Sequence, residues 1–293
     1  MSAAVLWRVS TDGVARLAAG PVTDGPLHLL PAEVSLDDLL ARGGDALQEA
    51  LRRATDEPVL AGAPLLCPLE GQEVWASGVT FERSRSARNE EAGREVGVVD
   101  FYDRVYAADR PELFGKAAVG RSRGPEEPVA IRSDSGWNVP EPELALIADA
   151  AGRIVAYTVG NDMSSRSIEG ENPLYLPQAK VYAGSCALGP CLLPVADAAP
   201  VDELEIHLVI ERDGREFYAD RVSVSKMHRK LDDLVDWLFR GQDFPVGVAL
   251  LTGTAIVPPV EFTLHQGDVV TVEIPGIGRL RNPVEVRDSS SRR

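Results

Sequence analysis

From residue 128 to residue 278 this chain is a series of short apolar runs, each cut off by glycine or proline: PVAIRS, LALIAD, RIVAYTVG, LEIHLVI, VALLTGTAIVP and DVVTVEIPGIG. Runs this short with turn residues between them predict strands, and many such strands predict a barrel or rolled sandwich. Val74 to Val79 reads as another short strand. One later helix stands out over Ser225 to Arg240, where Leu231, Leu234, Val235 and Leu238 recur at helical spacing. The expected class is α+β, mostly β.

The first 70 residues have a different texture. In VLWRVSTDGVARL, from Val5 to Leu17, two apolar runs flank Asp12-Gly13 and predict a hairpin. Ser35 and Asp38 form a capping pair for a helix, and Gly43-Gly44 divides that helix from a second. Pro58 to Pro68 (PVLAGAPLLCP) reads as a linker. The expected division is a small N-terminal domain (1–70), a main domain (71–287) and a polar tail, DSSSRR (288–293). Glu82 to Arg94 is polar and helix-prone.

Charge narrows the partners. A formal net charge of -15 repels nucleic acid and anionic membranes, which makes a small molecule the expected partner. No run has the length needed to span a bilayer, and the first residues lack a basic segment followed by an apolar core. Cys67, Cys186 and Cys191 are an odd number without metal-ligand spacing, so free thiols in a reducing compartment, the cytoplasm, are expected. The four scattered histidines offer no structural zinc site.

The chemistry concentrates in WNVPEPELALI, Trp137 to Ile147. On a strand, Glu141 and Glu143 point to one face. Two carboxylates beside a buried apolar run need a shared proton, a basic partner or a divalent cation. The plain alternative is a solvated strand face. RIVAYTVG runs on into Asn161-Asp162. Paired with the first strand through Asp149 to Gly152, it brings Asp162 to the same end as Glu141 and Glu143. Three carboxylates there suit a hard cation such as Mg²⁺. Asp162 also reads as an N-cap for MSSRSIEGE. Lys180, in YLPQAKVYAGS, is expected to be half-buried with a lowered pKa or an anionic partner, or else to snorkel from an edge strand.

Together VPEPELALI, GNDMSSRSIEGENP, LPQAKVYAGS and LLTGTAIVP resemble the fumarylacetoacetate hydrolase family, from about Trp75 to about Pro283. WASGVTFERSR, RPELFGKA and ENPLYLPQAKVYAG look like its 2-keto-3-deoxypentonate dehydratase branch. The resemblance implies a rolled mixed β-sheet domain behind a smaller N-terminal one, and assembly as a homodimer or homotetramer. It implies Glu141, Glu143 and Asp162 as ligands for Mg²⁺, or for Mn²⁺ or Ca²⁺ in its place. Lys180 matches the catalytic-site lysine, and Arg166 the arginine that follows the metal aspartate. Lys116 corresponds to a lysine after a helical lid, and Thr254 lies in a substrate loop. Phe81 joins Lys116, Arg166 and Thr254 as substrate-binding positions. Glu112 is a candidate acid or base, with a surface glutamate at a helix start as the alternative. Arg166 can instead pair with Glu169 or Glu171 on its own helix.

The implied reaction dehydrates a 2-keto-3-deoxy sugar acid in sugar-acid catabolism: 2-dehydro-3-deoxypentonate loses water to give 2,5-dioxopentanoate. Hydrolytic members of the family place a histidine in the lid where this chain has Ser84. That departure argues against the rival reading of acylpyruvate hydrolase, whereas oxaloacetate decarboxylation needs only a metal-bound keto acid and stays open as a side activity. A non-catalytic binding protein with a leftover metal site is the third reading.

Overall fold

The structure is a computed structural model that describes residues 3–83 and 99–288, with side chains left aside at 99–101. Ser84, most of the polar stretch after Glu82, and the tail beyond Asp288 lie outside the described residues.

The first hairpin forms as the sequence predicts. Strands β1 (Ala4–Thr11) and β2 (Val14–Pro21) turn at Asp12 and Gly13. Both turn residues have positive φ, 51° and 78°, which gives the local twist that matches paired strands. The short β3 (His28–Leu29) follows. Helix α1 (Leu36–Arg42) starts where Ser35 Oγ accepts the Asp38 N–H at 3.1 Å, and Gly43 ends it at φ 62°. A second helix, α2 (Ala46–Leu51), comes next. The Pro58–Pro68 segment is no free linker. It runs back along β1, with Ser10 N–H donating to Pro64 O and Leu66 N–H to Arg8 O.

The remaining strands are β4 (Glu73–Gly78), β5 (Glu112–Ala117), β6 (Val129–Arg132), β7 (Asn138–Val139), β8 (Pro142–Ala148), β9 (Ile154–Asp162), β10 (Ser164–Ser165), β11 (Cys186–Pro194), β12 (Glu205–Arg212), β13 (Arg215–Ser223), β14 (Val248–Leu251), β15 (Val269–Ile274) and β16 (Gly278–Arg287). A nine-stranded mixed sheet runs β3-β2-β1-β11-β9-β8-β14-β4-β5. A five-stranded sheet runs β13-β12-β15-β16-β6, and β10 pairs with β7. Strand β1 pairs with β11, so the N-terminal hairpin extends the large sheet. The mostly-β class with mixed sheets stands as expected.

Burial explains the unbroken apolar text of β8. Leu144 and Leu146 enter a core with Ile206, Leu208, Val270 and Val272 of the second sheet. Ala145 and Ile147 enter the opposite core with Leu36, Leu39 and Leu40 of α1. A strand covered on both faces has no need to alternate.

Three elements depart from the sequence expectation. The run VALLTGTAIVP is a strand only through Leu251, because Gly253 takes φ 93° and turns the chain. The helix expected from Ser225 begins at Leu231, after a 3₁₀ turn at Val224–Lys226. Asp162 is the last residue of β9 and not an N-cap. The cap of the following helix, α4 (Arg166–Glu171), is Ser165, whose Oγ accepts the Ile168 N–H. Helix α3 (Val99–Ala107) precedes β5, and the short α5 (Leu176–Lys180) follows α4.

Candidate metal centre

The β8–β9 hairpin builds the centre. Its strands pair antiparallel, with Glu143 opposite Gly160 and Pro142 opposite Asn161. Asp149 organises the turn: its carboxylate accepts from the N–H groups of Ala151 and Arg153 and from the Arg153 guanidinium. At the far end the Asp162 N–H donates to Glu141 O at 2.9 Å. That closure carries Glu141, Glu143 and Asp162 to one point, where one oxygen from each lies within 4.8 Å of the others. All three residues are buried. Gly160, opposite Glu143 in the register, has no room for a Cβ, which would run into Leu251 of the core.

Three cations surround this negative charge. Lys180 Nζ, at the end of α5, lies 2.9 Å from Glu141 Oε2, 3.1 Å from Asp162 Oδ2 and 2.7 Å from Ser164 Oγ. The Phe114 ring lies 6.0 Å from the same ammonium. Arg166 reaches Glu141 Oε1 at 2.9 Å and Glu169 Oε2 at 3.6 Å. Lys116 Nζ sits against Asp162 Oδ1 and donates to Met163 O and Lys180 O.

Glu143 differs from its two neighbours. Among the described residues no lysine or arginine forms an ion pair with it, and Oε2 accepts the Gly253 N–H at 2.6 Å. Burial, then the charges of Asp162 and Glu141, push its carboxyl well above the usual range. A buried carboxylate crowded by two others lacks one positive charge to offset its desolvation. A divalent cation on the three oxygens supplies it, and an all-carboxylate donor set suits a hard ion such as Mg²⁺. The residues therefore fit the metal.

The sequence-derived positions fall into two groups. Glu112, Arg166, Lys180 and Thr254 line the cleft over the acidic cluster. Glu112 opens β5, a strand and not a helix start, and faces Gly78, where a Cβ would strike its carboxylate. Thr254 Oγ1 accepts the Ile256 N–H at 3.1 Å. Lys116 and Phe81 are placed elsewhere. Lys116 is sealed beneath Asp162, where its ammonium braces a carboxylate, so it is not positioned as a substrate anchor. Phe81 is packed in the larger apolar core, and Val79 lines the cleft instead. Sequence reasoning missed the backbone N–H of Gly253, the hydroxyl of Ser164 and the buried Glu169 beside Arg166. Only Gly253 carried a signal, a glycine between two threonines at a strand end.

No helix among the described residues is long and apolar enough to cross a membrane. Cys67, Cys186 and Cys191 are free, and burial pushes all three thiols up to about 12.

Known proteins resemble this chain over most of its length. Residues 106–285 match the family model described as fumarylacetoacetate (FAA) hydrolase C-terminal. The chain is 48% identical over 217 residues to a "Probable 2-keto-3-deoxyxylonate dehydratase" of Haloferax volcanii, covering 74% of this chain and 73% of that one. It is 43% identical over 220 residues to a 2-dehydro-3-deoxy-D-arabinonate dehydratase of Saccharolobus solfataricus, covering 75% and 74%. Among solved structures, a 2-keto-3-deoxy-D-arabinonate dehydratase complexed with magnesium and 2,5-dioxopentanoate superposes with TM-score 0.82 at 34% identity, over 97% of this chain and 99% of that one.

Proposed function

This chain belongs to the fumarylacetoacetate hydrolase family, and from that premise we propose that it is a magnesium-dependent dehydratase acting on a 2-keto-3-deoxypentonate. The product is 2,5-dioxopentanoate, the ligand of the magnesium-bound structural neighbour. The observation that carries the reading is the convergence of three buried carboxylates within 4.8 Å at the end of one hairpin.

Glu141, Glu143 and Asp162 would hold the ion. Magnesium, when bound, would supply Lewis acidity to a 2-keto acid and so acidify its C3 hydrogens. Lys180, fixed by Glu141, Asp162 and Ser164, is aimed to steady the negative charge left on the keto oxygen and to handle the C3 proton. Glu112, across the cleft, gives a proton to the hydroxyl leaving C4, so that C3–H and C4–OH depart together as water. A proton then moves from C5 to C3, which leaves an enol at C4–C5, and transfer of the enol hydroxyl proton to C4 gives the aldehyde at C5. Arg166 and Thr254 contact the substrate from the cleft wall.

The enzyme works in sugar-acid breakdown in the cytoplasm, as a homodimer or homotetramer. Acylpyruvate hydrolysis and oxaloacetate decarboxylation are less well supported, because the two relatives described above are named dehydratases. The deciding experiment incubates the protein with Mg²⁺ and a panel of 2-keto-3-deoxy acids, acylpyruvates and oxaloacetate, and identifies products by mass. Loss of one water from a 2-keto-3-deoxypentonate is expected. Turnover of only the other two classes overturns the reading.

A further inference from the structure

A second cavity, with a free volume of about 650 Å³, lies apart from the acidic cleft. The segment after α5 lies between the two: Lys180 lines the cleft, while Tyr182 and Gly184 line the cavity. Arg121, Arg123, Arg132 and Arg287 all face into it. Such a gathering is unexpected in a chain of net charge -15, where 45 acidic residues are available to pair with 30 basic ones.

Two carboxylates share the cavity. Asp134 is already held by Arg132 through two hydrogen bonds, at 2.8 and 2.5 Å, and Asp288 stands at the edge of the described chain. Arg132 also reaches Gln178 O in α5 at 3.4 Å, so its guanidinium is committed. Arg121, Arg123 and Arg287 are not. Among the described residues their side chains make no hydrogen bond or ion pair, and Arg123 Nε is buried without a partner. Like charges held together in a concave site repel one another unless an anion joins them. Guanidinium forks match the paired oxygens of phosphate and carboxylate. The volume lies within the range of about 300–1,000 Å³ common for small-molecule sites.

The geometry points to a second ligand site: Arg121, Arg123 and Arg287 bind a multivalent oxyanion of metabolite size, a phosphate ester or a dicarboxylate, distinct from the 2-keto acid. The test is calorimetric titration of the intact protein with inorganic phosphate and, separately, with succinate, against sodium chloride at matched ionic strength. Saturable binding of one anion per chain is expected, and the anion that binds more tightly identifies the source. The variant R121Q/R287Q changes two exposed side chains and should weaken that binding about tenfold or more, since each hydrogen bond to a charged group is worth about 1.5–3 kcal/mol. Its melting temperature and turnover should stay at the parent values. R123K, which keeps the charge but loses the fork, should weaken binding less. Binding unchanged in R121Q/R287Q places the anion elsewhere and overturns the proposal, as does the absence of saturable binding. A variant that sediments as a smaller assembly overturns it too, because the arginines then serve a contact between copies of the chain.

Discussion

Lys180 and Asp162 meet at 3.1 Å, and the same ammonium lies 2.9 Å from Glu141. One cation thus bridges two of the three carboxylates and leaves the third, Glu143, without an ion pair among the described residues. The electrostatic need of the centre is concentrated on Glu143.

Replacing Glu143 with Gln should therefore abolish magnesium binding and dehydration together while the fold persists. The amide keeps the shape and still offers an oxygen to the Gly253 N–H. It also removes a charge that burial and two neighbours oppose. The metal-free variant should melt no lower than the metal-free parent, and the rise in melting temperature that Mg²⁺ gives the parent should vanish. An E143Q protein that retains full turnover would falsify the assignment of this residue to the metal.

Metal binding should release protons at pH values above the ordinary carboxylate range. The Glu143 carboxyl is raised in the folded state, so the metal-free protein holds a proton there that the unfolded chain has already lost. By linkage, this group's contribution to stability is present below the ordinary carboxylate pKa and is lost as pH rises towards the raised one. An incoming cation displaces the proton, so apparent affinity climbs with pH until Glu143 is ionised without help. Titrating Mg²⁺ calorimetrically in buffers of different ionisation enthalpy measures the release. An enthalpy independent of the buffer, with affinity flat across this range, contradicts the assignment.

Lys116 should prove conditional on the metal. Its ammonium is fully buried on Asp162, and removing one partner of such a pair costs about 3–5 kcal/mol, because the other charge stays behind. Lys116→Met should be destabilised by that order in chelator. Saturating Mg²⁺ should recover more stability in the variant than in the parent, since the ion then neutralises Asp162. Denaturant melts with and without Mg²⁺ decide it, and an equal gain in both proteins rules the bracing role out.

Much of this centre was legible in the sequence, for a specific reason. Strand periodicity and one short turn are local properties, so the hairpin from Glu141 to Asp162 and the meeting of its acidic ends follow from residues close together in the chain. What stayed hidden depends on distant pairing. Nothing local to Val5–Leu17 says that β1 joins β11, some 180 residues onward. Nothing in RPELFGKA says whether Lys116 faces a cleft or a carboxylate beneath it; the alternation of β5 and its pairing with β4 settle that. The N-cap reading of Asp162 failed because Ser165, three residues later, was the better-placed cap.

The backbone of Gly253 should matter as much as any side chain in the centre. It takes φ 93°, a conformation that costs an L-residue of order 1–3 kcal/mol. A Cβ there would also strike Thr80 Oγ1, whose hydroxyl donates to Thr252 O at 2.7 Å. Gly253→Ala is thus expected to lower stability by at least about 1–3 kcal/mol. It should weaken Mg²⁺ binding as well, because a loop that shifts away from Thr80 and Ser77 O also moves the N–H that holds Glu143 Oε2. Thr80→Ser keeps the hydroxyl and serves as the control, expected to leave metal affinity close to the parent. Chemical denaturation gives the first quantity and magnesium titration the second. If G253A is destabilised but binds the ion as the parent does, the N–H is not what fixes the Glu143 carboxylate, and the strain at this turn is a matter of folding alone.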